Sequence, residues 1–175
     1  MTDPAGRDRD AAGRARNARP RDELGRPLPR TAAADAPRIP DDLAVSPGEA
    51  AELGGRLLAE GRPFHAHEVF EAAWKSVPGP ERELWRGLAQ IAVGLTHARR
   101  GNARGAVALL RRGADQVAVF AGPGLAGPGF AGPGPGAEVD AAYVAAQAAD
   151  IALRIERDGL AGVPAAGLRL KLRSG

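Results

Sequence analysis

Ser46-Pro-Gly-Glu-Ala-Ala-Glu-Leu-Gly-Gly-Arg-Leu-Leu-Ala-Glu-Gly61 opens the part of the chain whose pattern decides the fold. Ser46 has the hydroxyl of an N-cap, Pro47 suits the first helical position, and Glu49 completes a capping box at the third. Leu53, Leu57 and Leu58 then follow helical spacing, and Gly61 reads as a stop. The same grammar continues downstream. A second helix is predicted from about Pro63 to Ser76, and Pro78-Gly-Pro80 separates it from a third over about Glu81 to Arg100. Gly101 fits the position just past a helix end and Asn102 the cap of the next, which runs over about Ala103 to Phe120. A fifth is predicted from about Glu138 to Arg157. The expected fold class is all-α: a compact bundle of four to five antiparallel helices with a disordered or extended N-terminal tail.

The flanks read differently. Residues 1–40 are rich in Arg, Asp, Ala, Gly and Pro, contain no aromatic residue and show no apolar period, so they are expected to be a mostly disordered tail. Within it, Leu24-Gly-Arg-Pro-Leu-Pro-Arg30 could lie extended against the bundle through Leu24 and Leu28. The helical core is assigned to 41–120. Residues 121–137 hold Ala-Gly-Pro-Gly three times and read as a Gly/Pro-rich loop, and 138–175 as the last helix and a basic tail. The final Leu168-Arg-Leu-Lys-Leu-Arg173 alternates but is too short and isolated to imply a sheet.

Composition narrows the function classes. There are 24 Gly, 15 Pro and no Cys in 175 residues, so disulfides and thiolate metal sites are excluded and a reducing compartment fits. The net charge is +3. Residues 1–40 carry nine Arg against six acids, while 41–175 carry fifteen of each sign, so the excess lies in the tail. With no aromatic groups beside them, the tail arginines would give at most weak, salt-sensitive contact with nucleic acid. No apolar leader and no long apolar run are present, so neither a secretory signal nor a membrane partner is expected, and the expected location is the cytoplasm. Phosphate-cradle, dinucleotide and nucleophile-elbow motifs are absent.

One stretch carries candidate chemistry: Phe64-His-Ala-His-Glu-Val-Phe-Glu-Ala-Ala-Trp74. At about 100° per residue, Phe64, His67, Phe70, Glu71 and Trp74 share about a third of the helix circumference, with His65, Val69, Ala72 and Ala73 across from them. The aromatic side is expected to be the buried side, placing a His67–Glu71–Trp74 cluster at the centre of the bundle, where a carboxylate needs a partner. His67 is four residues away and could serve. Such a pair can hold helices in register, act as a base with its orienter, or bind a metal.

His-Glu-x-x-Glu at 67–71 is similar to the zinc motif His-Glu-x-x-His with its second His replaced, and a third ligand could come from His97 or Gln90 on the third helix. Glu68 falls at the helix edge and reads as a rim carboxylate. The residues therefore favour a hydrogen-bonded cluster of His67, Glu68, Glu71, Trp74 and Gln90 over a divalent metal site at His67, Glu71 and His97. Correspondingly, a non-catalytic binding or scaffold protein is favoured over a metal-dependent or acid–base hydrolase using His67 and Glu71. A protein partner or a homodimer is open. Gly94, Gly101, Ala106 and Leu110 match the spacing of one tetratricopeptide hairpin, but no second copy follows.

At His67-x-x-x-Glu71-x-x-Trp74 the chain resembles the family catalogued as domain of unknown function 309. The resemblance continues through Glu81-Arg-Glu-Leu-Trp-Arg-Gly-Leu-Ala-Gln-Ile-Ala-Val-Gly-Leu-Thr-His97 to Arg100-Gly-Asn102 and Gly105-Ala106, covering about 47–118. The tail from Asp8 to Arg30 is similar to the extension on members from GC-rich bacteria. The resemblance implies a small helical bundle and a shared polar site at His67, Glu71, Trp74 and Gln90. It implies no activity.

Overall fold

The computed structural model describes residues 20–29, 31, 45–121 and 139–174. The rest of the expected tail and nearly all of the expected Gly/Pro loop lie outside the described residues. Five helices follow in order: α1 Pro47–Ala59, α2 Pro63–Ser76, α3 Arg82–Arg99, α4 Ala103–Ala118 and α5 Ala141–Asp158. No strand occurs among the described residues, and the all-α expectation holds.

The helix ends are set by the residues that announced them. Ser46 Oγ accepts from the Glu49 amide at 3.3 Å, and Glu49 Oε2 accepts from the Ser46 amide at 2.8 Å, a reciprocal capping box. Asn102 Oδ1 accepts from the Gly105 amide at 2.9 Å at the start of α4, and Asp140 Oδ1 from the Tyr143 amide at 2.9 Å at the start of α5. Gly101, between α3 and α4, takes a φ of 84°, which a side chain would oppose.

α3 packs against both α2 and α4, α1 packs against α2, and α5 packs against α4. The α3–α4 contact is made through small residues. A Cβ on Gly113 would stand 2.8 Å from the Gly87 carbonyl oxygen, and one on Gly94 would stand 2.9 Å from Leu110 Cγ and 3.0 Å from the Leu110 amide nitrogen. The two backbones are therefore as close as glycine permits. This accounts for the single-hairpin spacing of Gly94, Ala106 and Leu110.

The core is aliphatic around two aromatic rings. Trp85, Phe70, Leu58, Leu84, Leu88, Ile91, Leu95 and Leu110 are fully buried, each contributing roughly 1.5–3 kcal/mol of transfer free energy. Phe70 lies 6.1 Å from Trp85 between ring centroids and fits the notch left by Gly54 on α1. The last segment is extended without joining a sheet. Leu168, Leu170 and Leu172 point into the core while the residues between them face solvent. Gln147 on α5 holds the segment by accepting from the Lys171 amide at 3.1 Å and donating to its carbonyl at 2.9 Å. The alternation seen in the sequence is thus a real burial pattern, satisfied by a helix side chain in place of a neighbouring strand.

Candidate functional site

α2 starts at Pro63, which lacks the amide that a first-turn residue would leave unpaired, and it runs uninterrupted through the candidate stretch. Its buried side is Pro63, His65, Ala66, Val69, Phe70 and Ala73. Phe64, His67, Glu71 and Trp74 are half-buried at its margin. The expectation that the aromatic arc faces the core, with His67–Glu71–Trp74 at the centre, is therefore corrected. The two arcs share Phe70 alone. Ala66, Val69 and Ala73 let α2 come close to α1 and α3, and the larger side chains reach around the contact from its edge. Close backbone approach outweighs the size of the individual side chains.

On this margin His67 and Glu71 do meet. His67 Nε2 lies 3.3 Å from Glu71 Oε2, and their side chains are 27% and 36% exposed. Lys75, one turn further, places Nζ 2.6 Å from the other oxygen, Glu71 Oε1. The result is a row His67–Glu71–Lys75 along one helix, with the carboxylate between two nitrogen groups. Burial holds the His67 imidazole below its ordinary range, the Glu71 charge opposes that, and the Lys75 ammonium reinforces it. At neutral pH the contact is therefore between a neutral ring and a carboxylate.

Trp74 flanks the row. Its ring packs on the core edge, and the Arg82 guanidinium sits 5.4 Å from the ring centroid. Its Nε1–H is buried and has no hydrogen-bond partner among the described residues, a state shared by Trp85 Nε1, His65 Nδ1 and Gln90 Oε1. Each such group costs about 1–3 kcal/mol relative to a satisfied one. Glu68 is half-buried and engaged in interactions of its own.

The third-helix candidates go elsewhere. At about 100° per residue Gln90 stands about 60° from Gly87 and 40° from Gly94, the residues that α4 packs against. The α2 side of α3 carries Trp85, which meets Phe70. From Trp85 to Gln90 the helix turns by about 140°. His97 Nδ1 lies 2.7 Å from Asn102 Nδ2, and its ring packs where a Gly105 side chain would stand, so it fastens the α3–α4 corner. Among the described residues no three His, Cys, Asp or Glu side chains gather so as to hold a metal ion. The candidate trio of His67, Glu71 and His97, the less favoured reading of the sequence, is not assembled: His97 meets Asn102, and Lys75 meets one of the Glu71 oxygens.

Sequence reasoning missed three participants. Lys75 had a visible signal, its i+4 spacing from Glu71. Arg82 arrives from across the Pro78-Gly-Pro80 turn, and spacing along one helix cannot show that. His65 is only 5% exposed and is the buried histidine of the helix. Burial lowers its pKa first, Arg62 lowers it further, and Glu23 partly offsets both.

Residues 52–109, within a chain of 175, match the family described as Domain of unknown function (DUF309). The matched span runs from within α1 to within α4 and contains His67, Glu68, Glu71, Trp74, Gln90 and His97. No curated protein and no solved structure matches the chain.

Proposed function

We propose that this is a non-catalytic binding or scaffold protein, with the half-exposed margin of α2 as a contact surface. The supporting observation is the occupancy of Glu71. One oxygen meets His67 and the other meets Lys75, on a face open to water. A carboxylate so held has both oxygens engaged by neighbours on its own helix. What the margin offers is a polar row beside a cation-covered Trp74, chemistry suited to the rim of a protein–protein contact with a partner or a second copy. Over 41–175 basic and acidic residues are equal in number, which favours a protein over a nucleic acid as partner. The lack of cysteine fits a cytoplasmic setting. No described helix is long and apolar enough to cross a membrane.

The runner-up, an acid–base or metal-dependent hydrolase using His67 and Glu71, rests on their 3.3 Å contact. Elemental analysis of untagged protein purified without chelator, followed by zinc titration of wild type and Glu71→Gln, separates the two. The expected result is no stoichiometric metal and no difference between the proteins. One metal per chain, lost in Glu71→Gln, would overturn the proposal. Sedimentation across a range of concentrations then tests self-association.

A further inference from the structure

Residues 20–29 are docked on the corner where α2 begins and α3 ends. They form a tight turn, not the extended strip the sequence suggested. Asp22 Oδ1 accepts from the amides of Leu24 at 2.9 Å and Arg26 at 2.7 Å. The Gly25 amide donates to the Asp22 carbonyl at 2.8 Å, the Asp22 amide to Arg26 at 3.0 Å, and the Leu28 amide to Pro20 at 2.7 Å. The turn thus satisfies much of its own backbone, which lowers the ordering cost of docking it.

Two groups of the bundle grip it. The Phe64 ring lies against Gly25 so closely that a Cβ there would be 2.2 Å from Phe64 Cε2, and Gly25 also has a φ of 73°. Both facts demand glycine. The Arg21 guanidinium lies 5.9 Å from the Phe64 ring centroid, on the turn's own side. The Arg100 side chain, from the end of α3, donates to the Leu24 carbonyl. Close by, the Glu23 charge acts on the buried His65. The contacts are thus specific for a backbone shape, a glycine and an exposed carbonyl.

We infer that this corner is a recognition site for a short Asp-x-x-Gly-Arg-Pro turn. In this chain the site is filled by Asp22–Pro27, and it takes the same turn from another polypeptide when its own is displaced. Phe64 and Arg100 are the reading groups, and the polar row on the outer margin of α2 plays no part.

The test uses the full chain and a labelled peptide of residues 18–31, read by fluorescence polarisation. In wild type the resident turn is present at the high effective concentration of a tethered ligand, so the peptide binds weakly. Gly25→Val in the full chain expels the resident turn and should raise peptide affinity by about tenfold or more. Adding Arg100→Ala should return it to the wild-type level, and a peptide carrying Gly25→Val should not bind. Equal binding to wild type and Gly25→Val, no binding to either, or indifference to Arg100→Ala overturns the inference. As a measurement independent of Gly25→Val, Arg100→Ala alone should speed hydrogen exchange at the amides of Asp22, Gly25 and Leu28 while α2 is unchanged. Unaltered exchange there also overturns it.

Discussion

Replacing Glu71 with Gln keeps the side-chain shape and removes the charge, so it measures what the carboxylate contributes. Glu71 makes two contacts, each spanning four residues on one helix, with side chains 27%, 36% and 64% exposed for His67, Glu71 and Lys75. The Lys75 ion pair is worth about 0.3–0.5 kcal/mol, because water screens the charges and two long side chains must be ordered, and the contact with the neutral His67 ring is worth about as much. The sum is at most about 1 kcal/mol, or a fall in Tm of roughly 2–4 °C for a chain this size. A central buried pair would behave differently, since removing one partner strands the other and costs about 3–5 kcal/mol. Urea unfolding at neutral pH distinguishes these cases, with Lys75→Ala and the double variant closing a cycle. The loss should shrink at about 1 M salt, where the screening length is about 3 Å. A loss above about 3 kcal/mol, or one indifferent to salt, would refute the placement of Glu71 on an open margin.

Three further outcomes follow from named contacts. Gly54→Ala should destabilise the fold by about 1–3 kcal/mol in thermal or urea unfolding, since its Cβ would stand 2.2 Å from Phe70 Cε1, an overpacking cost exceeding the roughly 1 kcal/mol of helix propensity gained. Trp85→Ala should cost about 3–5 kcal/mol, whereas Trp85→Phe should cost about 1.5 kcal/mol or less, because it removes a buried Nε1–H that has no partner among the described residues. Both His65 and His67 are held below the ordinary histidine value of 6.5, so the unfolded chain binds more protons as pH falls through that value. Stability should be full above about pH 6.5 and decline below it toward the depressed folded values. His65→Leu should flatten part of that decline in urea midpoints measured across the range.

The fold was legible because its signals are local. A capping box at Ser46 and Glu49, an Asn102 cap after Gly101, and Pro63 at a first turn each act through the chain within a few residues. Such groups satisfy backbone donors whatever the tertiary setting, so their reading survives folding. The docking of 20–29 was half legible. Leu24 and Leu28 announced contact with the bundle. The tight approach to Phe64 depends on where α2 begins in space, and no period along the tail encodes that.

The site was legible in membership and illegible in depth, and α2 shows why. A helical wheel ranks faces by the apolar area each could bury, and by that measure the Phe64–Trp74 arc wins. Packing is decided by how near two axes can come. Ala66 and Ala73 add little area of their own, yet they bring the α2 backbone close to its neighbours, so every atom along the seam gains contact. Phe70 belongs to both arcs and is accommodated only because position 54 on α1 is glycine. That notch lies on another helix, ten residues before the stretch begins, and nothing within residues 64–74 signals it. Once Phe70 is seated there, the rotation of α2 is fixed. His67, Glu71 and Trp74 must then lie at the rim, with Lys75 beside them. The same glycine that builds the core thus sets the exposure of the polar row, and the effects of Gly54→Ala and Glu71→Gln should be coupled to the extent that α2 turns to relieve the clash.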